Sequence, residues 1–158
     1  MSASNIDQFN EVTGAIFAHL YQSFPNPIRI DSTLIGIENT GIQFYDPVNE
    51  VGQGGFYALS QSEQDQVVFL QNTAIWLARS GFIRYASTGW YGLDDVTLTL
   101  EGLELLKAIP KSLGPSLGDQ LIEAAKTGVT GKLKDLTSEL ISKAVILGVK
   151  AATDYATS

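Results

Sequence analysis

Apolar residues recur every three or four positions along the first 24 residues, which is the period of an amphipathic α-helix. The pattern predicts a helix that begins near Asn5, where Gln8 follows three residues later, and ends near Phe24. Pro25 and Pro27 favour this end because proline lacks a backbone donor and restricts the residue before it. The apolar face consists of Ile6, Phe9, Val12, Ile16, Phe17, Leu20, Tyr21 and Phe24.

A short strand and an irregular segment follow the first helix. Ile28-Arg29-Ile30 fits an edge strand, and Asp31 or Ser32 can cap a very short helix. Between residues 36 and 59, five glycines interrupt the helical and the strand periods alike. We therefore expect an insertion at 36–59 with one strand at 42–45. Such a long connection in a small domain is an interaction loop, an inserted hairpin or a mobile segment.

The most regular helical pattern lies in the middle of the chain. Ser60 and Glu63 form a capping-box sequence, which predicts a helix over residues 61–80. Gly81 supplies the left-handed position at which helices commonly end. A broad apolar stripe on this helix is typical of a core-facing surface. It comprises Val67, Leu70, Ala74 and Leu77, with Phe69, Thr73 and Trp76 adjoining them.

Two strands and another helix are predicted next. Residues 82–86 and 95–98 are rich in apolar and β-branched side chains, and a turn-rich tip separates them. We expect these strands to pair antiparallel. A helix then begins at Thr99 and carries the core to Pro110.

Two stretches of this region resemble a known superfamily. TAIWLARSGFIR, from Thr73 to Arg84, and LTLEGLELL, from Leu98 to Leu106, resemble the helix, wing and following helix of winged helix-turn-helix proteins. That superfamily includes small bacterial and phage-associated members of unknown role in which a helical tail also follows the wing, and this chain resembles them. The resemblance implies an α+β fold, mainly α, with a winged-helix core, a small antiparallel sheet that includes the wing hairpin, and a C-terminal helical tail. It covers about a third of the chain well, and such motifs specify a fold better than a function.

A domain boundary is predicted where serine, glycine and proline cluster at residues 112–118. This divides the chain into a winged-helix-like domain at 1–111 and a helical tail at 112–158. Ser116 followed by Asp119 marks a helix start in the tail. The last helix has an apolar seam with alternating spacings of three and four, which resembles a coiled coil. Its members are Leu133, Leu136, Leu140, Ala144, Leu147, Ala151 and Tyr155.

The distribution of charge bears on nucleic-acid binding. The net charge is −7, with −8 in residues 1–110 and +1 in residues 111–158. Acidic surfaces repel phosphate and weaken the counterion release on which nucleic-acid affinity depends. In DNA-binding relatives the helix at 61–80 would enter the major groove, and the wing, 86–95, would touch backbone or minor groove. Here only Arg79 and Arg84 are candidate DNA contacts. These two arginines are outnumbered by four acidic residues of the helix and wing, namely Glu63, Asp65, Asp94 and Asp95.

Residues that carry catalysis or bind metals are sparse. The chain has no cysteine, and His19 is its only histidine. His19 lies on the first helix as a surface or partly buried residue, which leaves no familiar triad or zinc site. The glycines of residues 52–55 lack the Lys-Ser/Thr that completes a phosphate-binding loop. The adjacent carboxylates of Asp94 and Asp95 point to opposite faces of a strand. We expect no enzymatic activity, catalytic residue, metal, cofactor or small-molecule substrate.

The candidate interaction residues are of two kinds. Trp90 and Tyr91 lie at the glycine-flanked wing tip, where they either contact a partner or fold back over the core as a lid. In the tail, Leu133, Leu136, Leu140, Leu147 and Tyr155 are expected to be buried against the core or a second chain. We expect a protein partner, with a modest preference for a homodimer.

Three functions fit these observations. The first is a non-enzymatic interaction module that docks or self-associates through its C-terminal helices. The second is a DNA-binding regulator, which the fold favours and the charge opposes. The third is membrane-surface association through the apolar residues 140–152, although the fourteen residues between Glu139 and Asp154 span only ~21 Å of helix against a hydrocarbon core of ~30 Å. The absence of cysteines and of a secretory signal predicts a cytoplasmic location.

Overall fold

The computed structural model describes residues 4–38, 42–46, 51–54, 59–89, 91–108, 115–128 and 130–157, and leaves undescribed the side chains of 42–46, 51–54, 130 and 145–157. The fold is α+β and mainly helical. The described helices are α1 (Asn5–Ser23), a 3₁₀ helix (Ser32–Ile35), α2 (Gln61–Arg79), α3 (Leu100–Lys107), α4 (Leu117–Thr127) and α5 (Thr130–Thr157). The described strands are β1 (Ile28–Ile30), β2 (Ile42–Asp46), β3 (Val51–Gly54), β4 (Ile83–Arg84), β5 (Ser87–Thr88) and β6 (Leu93–Leu98).

Side-chain caps fix where the helices begin. Ser60 accepts a hydrogen bond from the Glu63 amide, and the Glu63 carboxylate accepts one from the Ser60 amide, which confirms the predicted capping box. Ser116 caps α4 in the predicted way by accepting from the Asp119 amide. α1 begins at Asn5, as predicted, and the hydroxyl of the preceding residue, Ser4, caps it by accepting from the Asp7 amide.

The main sheet has the order β1-β6-β4, and β5 also pairs with β6. All its pairings are antiparallel, with Ile83 opposite Leu98, which confirms the predicted pairing of 82–86 with 95–98. The strand predicted over 95–98 begins two residues earlier, at Leu93, which is fully buried and pairs with both Ile30 and Thr88.

The insertion contains a two-stranded hairpin instead of the single predicted strand. β2 pairs antiparallel with β3, and Ile42 lies opposite Gly54. Glycine has a low strand propensity, so the periodicity of the sequence does not predict β3, which contains glycines.

Thr99 and Gly102 connect the sheet to α3. The Thr99 hydroxyl accepts from the Gly102 amide and donates to the Gly81 carbonyl at 2.5 Å. A β-carbon on Gly102 would overlap the Phe82 carbonyl, so only glycine lets α3 approach the chain this closely. The Thr-x-x-Gly spacing within LTLEG therefore sets the angle at which α3 leaves β6.

A single hydrophobic cluster joins α1, α2, the sheet and the C-terminal helices. α1 lies at its centre and packs against α2, α4 and α5. Among the tail residues, Leu117, Leu121, Leu133, Leu136 and Leu140 belong to this cluster. The seam predicted to be buried against the core or a second chain is thus buried against α1 as far as Leu140. The division at residue 112 into two domains stays a prediction.

Candidate interaction surface

A large apolar depression lies between α1, α2 and α5. We call it the α1–α2–α5 groove. Its volume is about 530 Å3, and its walls carry no charged side chain. Its lining consists of Asn5, Ile6 and Phe9 from α1, Phe69, Asn72, Thr73 and Trp76 from α2, and Ile141 from α5.

Helical spacing brings these residues together. On α2, Phe69, Thr73 and Trp76 follow one another at four and three residues and so share one face. Phe9 of α1 meets Trp76 edge to face, with ring centroids 5.3 Å apart and planes at 89°. Aromatic pairs prefer this geometry, which fixes α1 and α2 relative to each other beneath the groove.

The groove exposes large apolar side chains to solvent. Ile6 is 68% exposed and Trp76 is 48% exposed. Full burial of a side chain of this size is worth about 1.5–3 kcal/mol, so covering the groove would be favourable. Contiguous exposed apolar surface of this kind marks interaction sites in soluble proteins.

A second, smaller depression continues the groove along α5. It encloses about 140 Å3 between Trp76, Ser80, Phe82, Ile141 and Ala144. Trp76 and Ile141 line both depressions, so the apolar surface extends without a break from the first turn of α1 to Ala144.

The structure puts most of the predicted interaction residues inside the molecule. Tyr91 is 4% exposed, Leu133 is 6%, Leu136 is 8% and Leu140 is fully buried. These side chains have little surface left for a partner. Trp90 lies outside the described residues, and Leu147 and Tyr155 lie on α5 with side chains that are not described.

The wing tip is held against the rest of the fold. Gln71 of α2 donates to the Gly89 carbonyl at 2.6 Å. Arg29 of β1 forms ion pairs with Asp94 and, at 3.3 Å, with Asp31. A β-carbon on Gly92 would collide with the Ile30 carbonyl. For Tyr91, the alternative of a lid folded back over the core therefore fits its position.

A bulge in β6 turns the two wing aspartates apart. The register with β1 shifts between Ile28 opposite Val96 and Ile30 opposite Leu93. Asp95 lies in this bulge with a φ of +53°, a left-handed conformation that non-glycine residues seldom adopt. Asp94 pairs with Arg29, whereas Asp95 is exposed.

The two arginines named for DNA binding are both exposed. Arg84 donates to the Thr97 hydroxyl at 3.2 Å, and Arg79 lies in the last turn of α2. Asp65 and Asp95 are exposed as well. The helix and wing thus carry isolated cations together with exposed carboxylates, whereas a surface that binds a phosphate backbone carries clustered cations.

His19 lines a separate cleft between α1, the 3₁₀ helix, α2 and α4, about 350 Å3 in volume, and the other walls include Gln8, Glu11, Leu34, Gln66 and Ala125. Burial lowers the pKa of His19, because the imidazolium loses hydration there. Over the described ranges, no three His, Asp or Glu side chains lie close enough together to hold a metal ion.

The periodicity of the sequence predicts core positions for the groove residues Ile6, Phe9, Phe69 and Trp76. One sequence signal pointed to them, namely the width of the stripe on α2, which exceeds what one buried face requires. Trp76, at one edge of this stripe, is 48% exposed and lines the groove.

Comparison with protein-family models, with curated proteins and with solved structures finds no match to this chain. None of the helices in the described part of the chain is both long and apolar enough to cross a membrane.

Proposed function

We propose that this chain is a non-enzymatic protein-interaction module that receives an amphipathic helix of a partner protein in the α1–α2–α5 groove. The observation that carries the proposal is the groove itself, where Ile6 and Trp76 are left in solvent beside Phe9 and Phe69. Helix-in-groove recognition uses apolar residues spaced at i, i+3, i+4 and i+7. A groove of this volume, walled by helices and without charges, suits such a ligand.

The order of elements supports a winged-helix relationship for the core. Apart from the inserted β2–β3 hairpin, a helix, a strand, a very short helix, a long helix and paired strands follow one another, and the sheet order is β1-β6-β4. In this relationship α2 would be the helix that DNA-binding relatives insert into the major groove. Here one face of α2 forms a wall of the apolar groove, and this supports protein contacts as the use of the fold.

Charge supports the same choice. Residues 1–110 carry a net −8, so a phosphate backbone would be repelled by the half of the chain that contains α2 and the wing. A cytoplasmic location is proposed with the function, since the chain contains no cysteine.

Selection of helical peptides tests the proposal. A phage-displayed library of amphipathic helices would be panned against the full chain and counter-screened against Trp76→Glu, which puts a charge into the groove. We expect selected peptides with the i, i+3, i+4, i+7 pattern to bind the variant at least about tenfold more weakly. The matched control is Val68→Glu, which alters an exposed apolar residue of α2 that does not line the groove and should leave binding unchanged. Equal binding to the chain and to Trp76→Glu would place any interaction elsewhere and refute the proposal.

A further inference from the structure

We propose that the occupant of the α1–α2–α5 groove is the C-terminal segment of α5, residues 145–157, of a second copy of this chain. The inference rests on the proposed function, because it names the partner for the same groove. It makes the protein a homodimer in which each chain gives one helix end and receives another.

Two contacts define the direction in which α5 runs past α1. Gly14 of α1 lies beside Leu133 and Thr137 of α5, and Ile6 of α1 lines the groove with Ile141. Lower numbers on α1 meet higher numbers on α5, so the two helices are antiparallel. α1 begins at Asn5, and α5 therefore reaches the start of α1 near Ile141 and Ala144.

A long part of α5 remains beyond the groove. The helix continues for thirteen residues after Ala144, to Thr157, which is about 20 Å at 1.5 Å per residue. Because α5 is helical throughout, these residues extend away from the groove of their own chain along the helix axis and do not fold back into it. A helix end that enters the groove must therefore come from another chain.

The end of α5 and the groove are chemically complementary. The sequence from 145 to 152, VILGVKAA, is apolar except for Lys150, and between Glu139 and Asp154 the charged residues are Lys143 and Lys150 alone. The groove walls are uncharged, and the exposed carboxylates of Asp7 and Asp65 lie on α1 and α2 within one turn of its lining residues. A cationic apolar helix end thus meets an apolar groove with acids beside it, within a domain of net charge −8.

A two-fold axis satisfies both copies at once. If the two α5 helices run antiparallel and cross at Gly148, Tyr155 of one copy is level with Ile141 of the other, and Ala152 is level with Ala144. This puts each helix end at the groove of the opposite chain. Such an isologous contact closes with two subunits and leaves neither groove open.

Cross-linking of the full chain tests this arrangement directly, because the native sequence has no cysteine. Asn72→Cys places a thiol in the groove wall, and Ala152→Cys places one on the helix end. Mixing the two variants with a short bismaleimide should join one chain of each kind. The matched control replaces Asn72→Cys by Asp119→Cys, which lies in the first turn of α4 near Tyr21 at the other end of α1. Cross-linking no greater than with the control overturns the proposed geometry.

Light scattering gives the second measurement. We expect a mass of twice 17.0 kDa for the native chain. Ile6→Glu changes a side chain that is 68% exposed, so the fold should be retained, and we expect the dimer dissociation constant to rise at least about tenfold. Circular dichroism of the variant verifies its helix content. A monomer at every concentration, or a dimer indifferent to Ile6→Glu, overturns the inference.

The two proposals fail separately. If the native chain is monomeric and selected helical peptides still bind in a Trp76-dependent way, the groove serves another protein and only this inference is wrong. If neither self-association nor Trp76-dependent peptide binding occurs, both proposals are wrong.

Discussion

Gly14 of α1 lies directly against the hydroxyl of Thr137 on α5. A β-carbon at residue 14 would overlap Thr137 Oγ1 and stand 2.9 Å from Leu133 Cγ. Both neighbours are buried, and the Thr137 hydroxyl is fixed by a 2.8 Å hydrogen bond to the Leu133 carbonyl. The absence of a side chain at residue 14 thus sets the distance between the two helices.

We predict that Gly14→Ala destabilises the protein by about 1–3 kcal/mol despite the higher helix propensity of alanine, because α5 must move outward. Chemical denaturation followed by circular dichroism measures the change. Gly131→Ala is the matched control, since a β-carbon there meets nothing within 4 Å. If Gly14→Ala is as stable as the native chain, the close approach of α1 and α5 is wrong.

Two glycines of the wing, Gly89 and Gly92, differ in the atoms that surround them and therefore in their expected tolerance of a side chain. A β-carbon on Gly92 would collide with the Ile30 backbone, whereas one on Gly89 would meet only the flexible end of Arg29, at 3.3 Å. We expect Gly92→Ala to cost about 1–3 kcal/mol and Gly89→Ala clearly less, because a side-chain end can move and a strand cannot. Thermal unfolding of both variants provides the comparison. Equal losses would mean that the wing tip does not pack on β1.

His19 gives stability a defined dependence on pH. Its pKa in the folded chain lies below the ordinary value of about 6.5, so between these two values the unfolded chain binds more protons. The stabilising contribution is therefore complete above pH ~6.5 and declines as the pH falls toward the folded pKa. Urea unfolding at a series of pH values should show this slope in the native chain and not in His19→Gln, because the chain has no other histidine.

Asp31 supplies an internal control for the pH series. Burial alone would raise the pKa of Asp31, but hydrogen bonds from Thr33 and the pairing with Arg29 outweigh it, and the net shift is downward. Its contribution is present above the ordinary aspartate pKa and is lost as the pH falls through the lower folded value. The loss at strongly acid pH should thus persist in His19→Gln. If the unfolding free energy of His19→Gln still changes with pH near pH 6 as in the native chain, groups other than His19 cause that change.

We predict that the protein does not bind duplex DNA in a sequence-specific way. At about 150 mM salt we expect fluorescence anisotropy to detect no sequence-dependent binding of duplex DNA, because each phosphate contact needs a cation and the helix and wing offer few. A charge-reversed variant, Asp65→Lys with Asp95→Lys, serves as the comparison and should raise non-specific affinity. Sub-micromolar, sequence-dependent binding by the native chain would favour the regulator hypothesis instead.

Much of the fold follows from local signals. A serine at residues 60 and 116, with an acid three residues later, marks two helix starts, because the hydroxyl and the amide it caps are within the same turn. The φ of +88° at Gly81 was predictable in the same way. Such interactions involve neighbours in sequence, so the sequence alone contains them.

The groove depends on interactions between distant residues. Periodicity identifies Trp76 as part of an apolar stripe, but its exposure depends on how far α5 covers α2, and Ile141 is 65 residues away. Tyr91 shows the same limit in reverse. Its position in a glycine-flanked turn fits either a contact residue or a lid over the core, and the structure buries it next to Gly92, which lies against Ile30.

The contact between Gly14 and Thr137 also orders events during synthesis. The two residues are 123 positions apart, so α1 leaves the ribosome long before its neighbour exists. Until residues 133–140 emerge, the α1 surface around Gly14 is an open apolar strip that a chaperone can hold. Closure of this core is therefore a late step with a large loop to close, and a nascent chain stalled before Thr130 should remain bound to holdases where the released chain does not.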